Sequence, residues 1–284
     1  MDSPETQMGS SRPVLHRSII EELTHLPAQP IAAVEVLRLV ADPNASSAEL
    51  GAVVDLDPAL SARVLRLANA PHYGLGGTVT SAARAVVLLG FSTVKGVAAA
   101  ASNGLLAEYV NFGPQDYWAH SVATAVAASV MAKQVGLPAA DAFSVGLLHD
   151  LGAALLHRCD AELYQEVVAT GRSALLDAER DAFGATHAEA GAAALQAWNL
   201  PPRLVRAVRD HHEPLESHTD ALTKVVVAGE ALADLVDDLG PSEPVCALDV
   251  ALDALGVAAR ETAALVAQAR REFDRTARLL GRSE

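Results

Sequence analysis

Histidine is concentrated in one part of this chain, in a pattern that could bind a metal ion. Seven of the ten histidines lie between positions 120 and 218. His149 and Asp150 are adjacent in the apolar segment SVGLLHDLGAALL, and burying an imidazole with a carboxylate is costly unless they are paired or bound to a metal. Both groups are ordinary ligands of iron, zinc and manganese. The doublet is therefore the centre of the candidate site.

The other candidate ligands lie on predicted helices before and after the doublet. His120 is on the preceding helix, and Asp116 is one turn earlier on the same face. His187 begins a later helix, and His211 and His212 end the next one. Metal sites inside helix bundles are built by side chains that converge from several helices. We therefore predict a divalent metal (iron, zinc or manganese) bound by a set of seven residues: Asp116, His120, His149, Asp150, His187, His211 and His212.

Each member of this set also has a simpler interpretation. His149 and Asp150 could be a buried hydrogen-bonded pair, and His187 could be an ordinary residue that follows Thr186 at a helix start. The His211-His212 pair could interact with a helix C-terminus. The remaining histidines are interpreted as surface residues or satisfied core residues: His16, His25, His72, His157 and His218. The set as a whole is a stronger signal than any one member.

The elements that must position these residues are predicted to be helices alone. Apolar residues make up 51% of the chain and aromatic residues only 4%, and the abundant alanine favours closely packed helices. Ser46 with Glu49 forms a capping box, and Asp57-Pro58 is a typical helix start. The apolar stretch from Ala82 to Ala101 is interpreted as two buried helices that meet at Gly90. No sustained alternation of period two is present, so the predicted class is all-α.

Helix boundaries in the histidine-rich part are also predicted. Asp141 is expected to cap a helix that runs through His149 to about Arg158. Pro201-Pro202 is expected to start the helix that ends at His211-His212.

Breaks in the helical pattern divide the chain into four parts. Residues 1–14 are predicted to be a disordered tail, and residues 15–112 an N-terminal helical section. Residues 114–238 form a second section with most of the histidines, and residues 239–284 a helical appendage. The segment that includes Val86, Val87, Leu88, Leu89 and Phe91 is too apolar to be left in water. We therefore expect the two sections to pack through an extensive apolar interface.

Charge, cysteine content and hydropathy limit the possible functions. The net charge of −14 repels phosphate backbones and anionic membranes, so nucleic-acid and membrane partners are not expected. Cys159 and Cys246 are too few and too isolated for a disulfide framework, and we interpret them as reduced core thiols. The polar N-terminus lacks a signal-peptide core, and no segment has about 20 nearly uninterrupted apolar residues, as a membrane span would. The sequence predicts a cytoplasmic protein.

The order of these motifs resembles a known superfamily. His120, then LLHDLG, HAEAG and DHHEP are similar to the histidine–aspartate (HD) superfamily of metal-dependent phosphohydrolases. Three upstream segments, LPAQPIAAVEVLRLVADPNASSAEL, DLDPALSARVLRLANAPHYG and VTSAARAVVLLGFSTVKGVA, resemble the signature of the HD-related output domain (HDOD) family. The resemblance covers residues from about 24 to 235. It implies an HDOD-type helical bundle, with an N-terminal subdomain packed on an HD-like subdomain.

The chain departs from catalytic relatives at two places. The GYP tripeptide of the related HD-GYP branch is absent after His211-His212. Catalytic HD proteins end their ligand set with an aspartate on a late helix, and Gly229 stands at the matching place. The adjacent Glu230 is expected to face another direction. The resemblance thus implies a first metal at His120, His149 and Asp150, with Asp116, and a weaker second position near His187, His211 and His212.

Two functions follow from the resemblance. The first is a non-catalytic regulatory module that acts through protein partners, such as a sensor kinase, a response regulator or a cyclic-dinucleotide enzyme, and that could form homo-oligomers. The second is a metal-dependent phosphohydrolase for a nucleotide or cyclic dinucleotide, in which Asp150 would bridge two metals. The missing aspartate favours the first. So does the lack of an obvious Lys or Arg cluster near the histidines to hold phosphate. Lys224 is the only nearby lysine, and a row of arginines on the preceding helix could equally be a solvated face: Arg203, Arg206 and Arg209.

Overall fold

The computed structural model describes residues 30–71, 74–102, 117–215, 220–236 and 248–279. Every regular element in these ranges is a helix, so the all-α prediction is confirmed. The predicted tail at 1–14, the candidate ligand Asp116 and Cys246 lie outside the described residues.

Five helices form the N-terminal section: α1 (Pro30–Ala41), α2 (Ser47–Val54), α3 (Pro58–Ala68), α4 (Ala82–Leu89) and α5 (Phe91–Ser102). Their starts follow the local sequence. Ser46 and Glu49 form the predicted capping box, and the Asp57 carboxylate accepts the backbone N–H of Leu60 at 2.6 Å. Gly90 ends α4 with φ of 74°, a conformation that favours glycine. Helix α1 packs on α5, and α2 packs on α4.

The second section is built around one apolar helix. Its helices are α6 (Tyr117–Gln134), α7 (Ala139–Leu148), α8 (Leu151–Cys159), α9 (Ala161–Val168), α10 (Leu175–Phe183), α11 (His187–Ala197), α12 (Pro202–Arg209) and α13 (Ala221–Ala233). Helix α6 is packed between α7 and α13, and α11 packs on α8. This arrangement brings α6, the α7–α8 junction and the start of α11 to one place.

The chain breaks its helix at the HD doublet, which the sequence did not predict. Helix α7 ends at Leu148 and α8 begins at Leu151. The His149 ring donates from Nδ1 to the carbonyl of Gly146 at 2.7 Å, the acceptor that a continuous helix would offer to the N–H of Asp150. Asp141 is likewise not the predicted cap, since α7 already begins at Ala139.

The two sections share one hydrophobic core, as predicted. A single cluster of buried side chains extends from Val36 in α1 to residues beyond α13. A smaller cluster joins Ala32 and Leu56 to Val122 of α6 and Leu147 of α7. The expectation for Val87 was wrong, because its side chain is 69% exposed on the outer face of α4.

Polar contacts cross the same boundary between the sections. Asp141, at the start of α7, accepts the hydroxyl of Thr80 at 2.6 Å and forms an ion pair with Arg203 of α12. Asn199 donates to the carbonyl of Asn69 at 3.1 Å. Asp141 therefore links the N-terminal section to α7, which precedes His149, and to α12, which precedes His211.

The predicted C-terminal appendage contains, within its described residues, the helices α14 (Leu248–Ala254) and α15 (Thr262–Leu279). Helix α15 packs against α6. By length and composition alone, one described stretch, Ala139–Cys159, could cross a membrane, and 78% of its most apolar window is buried inside the protein. Cys159 itself is exposed, so the prediction that it is a core thiol was wrong.

Candidate metal centre

Asp150 is the point on which the candidate ligands converge. Its Oδ2 atom lies 3.2 Å from Nε2 of His149 and 3.6 Å from Nε2 of His120. Its Oδ1 atom lies 3.3 Å from Nε2 of His187 and 3.5 Å from Nε2 of His211. All four imidazoles are buried, and Asp150 retains 21% of its side-chain exposure. The two carboxylate oxygens thus face two different pairs of histidines.

The rings of His149 and His211 are each oriented by a backbone carbonyl three residues earlier in the chain. Nδ1 of His149 donates to the Gly146 carbonyl at 2.7 Å, and Nδ1 of His211 donates to the Val208 carbonyl at 2.6 Å. A carbonyl oxygen only accepts, so each neutral ring carries its proton on Nδ1 and presents a lone pair at Nε2. Both Nε2 atoms are buried without a hydrogen-bond partner, which is the state expected of a metal ligand.

Glu230 supplies a carboxylate to the site, although from the sequence we expected it to face another direction. One potential ligand atom each from His149, His211 and Glu230 lie within 4.8 Å of one another, and all three residues are buried. Oε2 of Glu230 is also a buried atom without a hydrogen-bond partner. Gly229, by contrast, faces α6, where an added Cβ would lie 2.7 Å from the backbone nitrogen of Ala128. The expected orientation of Glu230 was therefore wrong, because Gly229 is used for helix packing.

Arg172 holds the other oxygen of Glu230. Its guanidinium donates to Oε1 of Glu230 at 2.6 Å and to Asp234 at 3.1 Å. Burial works to raise the pKa of Glu230, but neighbouring positive charge, including that of Arg172, outweighs it and lowers the pKa. Glu230 is therefore ionised at neutral pH, with one oxygen in the ion pair and one directed into the site.

His187 is held by a carboxylate instead of a backbone carbonyl. Nδ1 of His187 lies 2.8 and 2.9 Å from the two oxygens of Glu179, and its Nε2 lies 2.8 Å from Nε2 of His212. Burial works to lower the pKa of His187, but the Glu179 carboxylate reverses this and raises the pKa to about 9. Burial and the neighbouring His211 and His187 lower the pKa of His212. Without metal, protonated His187 therefore donates to Glu179 and to neutral His212.

The candidate ligands form three overlapping groups. These groups are His120, His149 and Asp150; Asp150, His187, His211 and His212; and His149, His211 and Glu230. Asp150 belongs to the first two, so its carboxylate could bridge two metal positions. Imidazole nitrogens and carboxylate oxygens suit the predicted iron, zinc or manganese. Six of the seven predicted residues are thus brought together, and the seventh, Asp116, lies outside the described residues.

A small cavity adjoins the centre. Its volume is about 110 Å³, room for roughly four water molecules at about 30 Å³ each. Its lining is partly polar and partly apolar: Tyr117, His120, Asp150, Ala153, Tyr164, Val168, Leu175 and His187. Within the described chain, no lysine or arginine lines it. The predicted arginine row lies on the surface, with Arg203, Arg206 and Arg209 all exposed.

Two carboxylates at the centre were missed from the sequence. Glu230 carried a usable signal, since it lies beside Gly229 and is the only acidic residue of α13. Glu179 carried none, because α10 contains two further acidic residues and lies outside the histidine motifs. Both were identified only from the three-dimensional positions of α10 and α13.

Comparisons with known proteins agree with this architecture. The HDOD domain family model matches residues 26–214. An uncharacterized protein of Treponema pallidum is 26% identical over 205 residues, which cover 70% of this chain but 40% of that protein. The chain thus spans less than half the length of this relative.

Two solved structures are similar over nearly their whole length. The MmoQ response regulator of Methylococcus capsulatus has a TM-score of 0.71 at 27% identity, and the match covers 85% of this chain and 98% of that one. A Shewanella amazonensis protein called "Putative phosphohydrolase" has a TM-score of 0.53 at 25% identity, with 93% and 98% covered.

Proposed function

Because the chain belongs to the HDOD domain family, we propose that it is a regulatory signal-transduction module that acts through protein partners and carries a divalent-metal centre. One observation carries the metal assignment. Three buried polar atoms without hydrogen-bond partners, Nε2 of His149, Nε2 of His211 and Oε2 of Glu230, belong to residues that form one candidate ligand group. Leaving such atoms unsatisfied costs about 1–3 kcal/mol each, and one divalent cation would satisfy all three.

The proposed ligands divide around this group. His149, His211 and Glu230 would hold the metal with Asp150, whose carboxylate faces both histidines. His120, His187 and His212 surround the same carboxylate and could complete a second position. When bound, iron, zinc or manganese would supply positive charge that neutralises the buried carboxylates. The residues themselves orient the ligand atoms through the hydrogen bonds at Nδ1 of His149, His187 and His211.

Regulation through partners is supported by the properties of the site and of a relative. The cavity of about 110 Å³ has no described lysine or arginine in its lining to hold a phosphate, and it is smaller than the 300–1,000 Å³ or so of sites for drug-sized ligands. MmoQ, one of the similar solved structures, is called a response regulator. We propose that the cytoplasmic partners are signalling proteins: a sensor kinase, a response regulator or a cyclic-dinucleotide enzyme. Binding assays with purified candidates and the metal-loaded chain test this, and wild-type affinity in a His149→Ala variant would contradict metal-dependent regulation.

Metal binding is tested by elemental analysis and thermal melts. The chain, purified without chelator or affinity-column metal, should contain stoichiometric metal. At free metal 100-fold above Kd, binding stabilises the fold by about 2.7 kcal/mol, and removal should lower the Tm by about 5–11 °C for a chain of this size. His149→Ala should abolish the sensitivity to chelator. His157→Ala, which removes a half-buried histidine of α8 that is not a candidate ligand, should retain it.

A second function, metal-dependent phosphohydrolase, is favoured by one observation. The two oxygens of Asp150 face separate pairs of histidines, as expected of a carboxylate that bridges two metals. The Shewanella protein called "Putative phosphohydrolase" is similar in fold. A screen of phosphomonoesters and phosphodiesters with the metal-loaded chain separates the two functions. Turnover of about 1 per second or faster, lost in His149→Ala, would replace the regulatory proposal.

A further inference from the structure

We propose that Glu179 is a positioning residue of the metal centre, which fixes both the ring and the main chain of His187; this inference rests on the proposed metal-binding function. Glu179 is fully buried on α10. Its Oε2 accepts the backbone N–H of His187 at 2.8 Å, and both oxygens lie within 2.9 Å of Nδ1 of the same residue. One carboxylate therefore holds two parts of one candidate ligand.

The contact directs the opposite nitrogen of the ring into the site. Nδ1 and Nε2 lie on different edges of the imidazole, so holding Nδ1 aims Nε2 at Asp150, 3.3 Å away. Because His187 is the first residue of α11, the bond to its N–H also fixes where that helix begins. The ring cannot turn without breaking a buried hydrogen bond.

Glu179 gives His187 a different character from the other oriented ligands. His149 and His211 donate to neutral backbone carbonyls, whereas His187 donates to a charged carboxylate, which makes the imidazole a more basic ligand. Tyr164 donates its hydroxyl to Oε1 of Glu179 at 2.9 Å and so keeps the carboxylate in place. The row Tyr164, Glu179 and His187 leads from the apolar interior to the metal position.

The role of Glu179 can be tested by comparing substitutions of two glutamates near the start of α11. Glu179→Gln keeps the shape but removes the charge and one acceptor. Glu189→Gln is the matched control, because Glu189 completes the capping box with Thr186 at the same helix end but is exposed and bonds Arg180 instead of the ring. The probe is Co²⁺, with the dissociation constant measured by chelator competition and the ligand field by the d–d absorption bands.

We expect Glu179→Gln to weaken Co²⁺ binding by roughly 10- to 100-fold and to change the d–d bands, while Glu189→Gln leaves both unchanged. Tyr164→Phe, which spares the carboxylate, should weaken Co²⁺ binding by less than Glu179→Gln does. If Glu179→Gln does not fold, Tyr164→Phe is the test instead. In that case, unchanged Co²⁺ binding and unchanged d–d bands in Tyr164→Phe would overturn the proposal. Equal affinity in wild type and Glu179→Gln would overturn this inference alone. A wild-type chain that binds no Co²⁺ would overturn the proposed function as well, so the two failures are distinguishable.

Discussion

Gly152 lies at the closest approach between α8 and α11, and its substitution should separate the two ligand-bearing segments. A Cβ at this position would lie 2.6 Å from the backbone nitrogen of Gly191, and closer still to the carbonyl oxygen of His187. Ordinary van der Waals contact begins at about 3.4 Å. Relief of the contact with Gly191 alone requires the two backbones to move apart by about 0.8 Å, and the closer contact with the His187 carbonyl requires more, since neither contact is with a flexible side chain.

This displacement should affect stability and metal binding together. Overpacking of this kind costs about 1–3 kcal/mol and sometimes more, which lowers the Tm by about 2–4 °C per kcal/mol. Asp150 precedes Gly152 by two residues, and His187 supplies the clashing oxygen. The distance of 3.3 Å between Oδ1 of Asp150 and Nε2 of His187 should therefore increase. Metal sites tolerate deviations of only about 0.2 Å in the distances between metal and ligand.

Gly51→Ala is the control for this substitution. A Cβ at Gly51 would lie 2.6 Å from the Cα of Ala83, so α2 and α4 would be forced apart by about 0.8 Å, less than at Gly152 and away from the metal centre. Thermal melts should show both variants destabilised, and Co²⁺ titrations should show weaker binding only in Gly152→Ala. If Gly152→Ala binds metal as wild type does, or melts at the wild-type temperature, then the α8–α11 crossing does not set the ligand geometry.

Three further predictions concern pH, the contact between sections and catalysis. Burial raises the pKa of Asp55 to about 7 despite the hydrogen bond from Ser61, above the usual value of about 3.9. The stability that its protonated form contributes is therefore fully present below about pH 4 and is lost as the pH rises through about 7. Asp55→Asn should therefore be more stable than wild type at pH 8 by roughly 1–3 kcal/mol and nearly equal at pH 4, and equal differences in denaturant melts at both pH values would contradict this. Asp141→Asn should cost about 1–3 kcal/mol by weakening the bonds to Thr80 and Arg203, and a Tm within 1 °C (roughly the uncertainty of a melt) of wild type would argue against the junction. Hydrolysis of cyclic di-GMP by the metal-loaded chain should be absent or far below about 1 per second, as followed by product chromatography, because the GYP tripeptide is absent and no described lysine or arginine lines the cavity to hold phosphate.

Local features of the fold could be predicted because their causes are local. The capping box of Ser46 and Glu49 and the start at Asp57-Pro58 depend on residues within one helical turn, and both are present. Gly90 separates α4 from α5 for the same kind of reason. The exposure of Val87 and Cys159 could not be predicted in this way, because it depends on which helix faces are covered by distant parts of the chain.

In the candidate site, too, residues with local signals could be predicted, and those positioned by distant packing could not. The order of the histidines in sequence indicated their convergence on Asp150, because each lies on or beside a helix that packs into one bundle. Glu230 was misassigned because a shift of one residue on α13 rotates a side chain by about 100°, and only the packing of Gly229 against Ala128 fixes that rotation. Glu179 required knowledge of how α10 lies against α11, which no motif in the sequence encodes.

The anchoring of the imidazoles through Nδ1 has a consequence for the kinetics of metal exchange. His149, His187 and His211 are held by bonds that exist before any metal arrives, so the entropy of ordering these rings is lost during folding and not during binding. Each ring can leave its position only by breaking a buried hydrogen bond. We therefore expect the rings to keep their positions while metal binds and leaves, so that the rate at which a bound ion is released into a colorimetric chelator would report breakage of the metal–ligand bonds and not rearrangement of the rings.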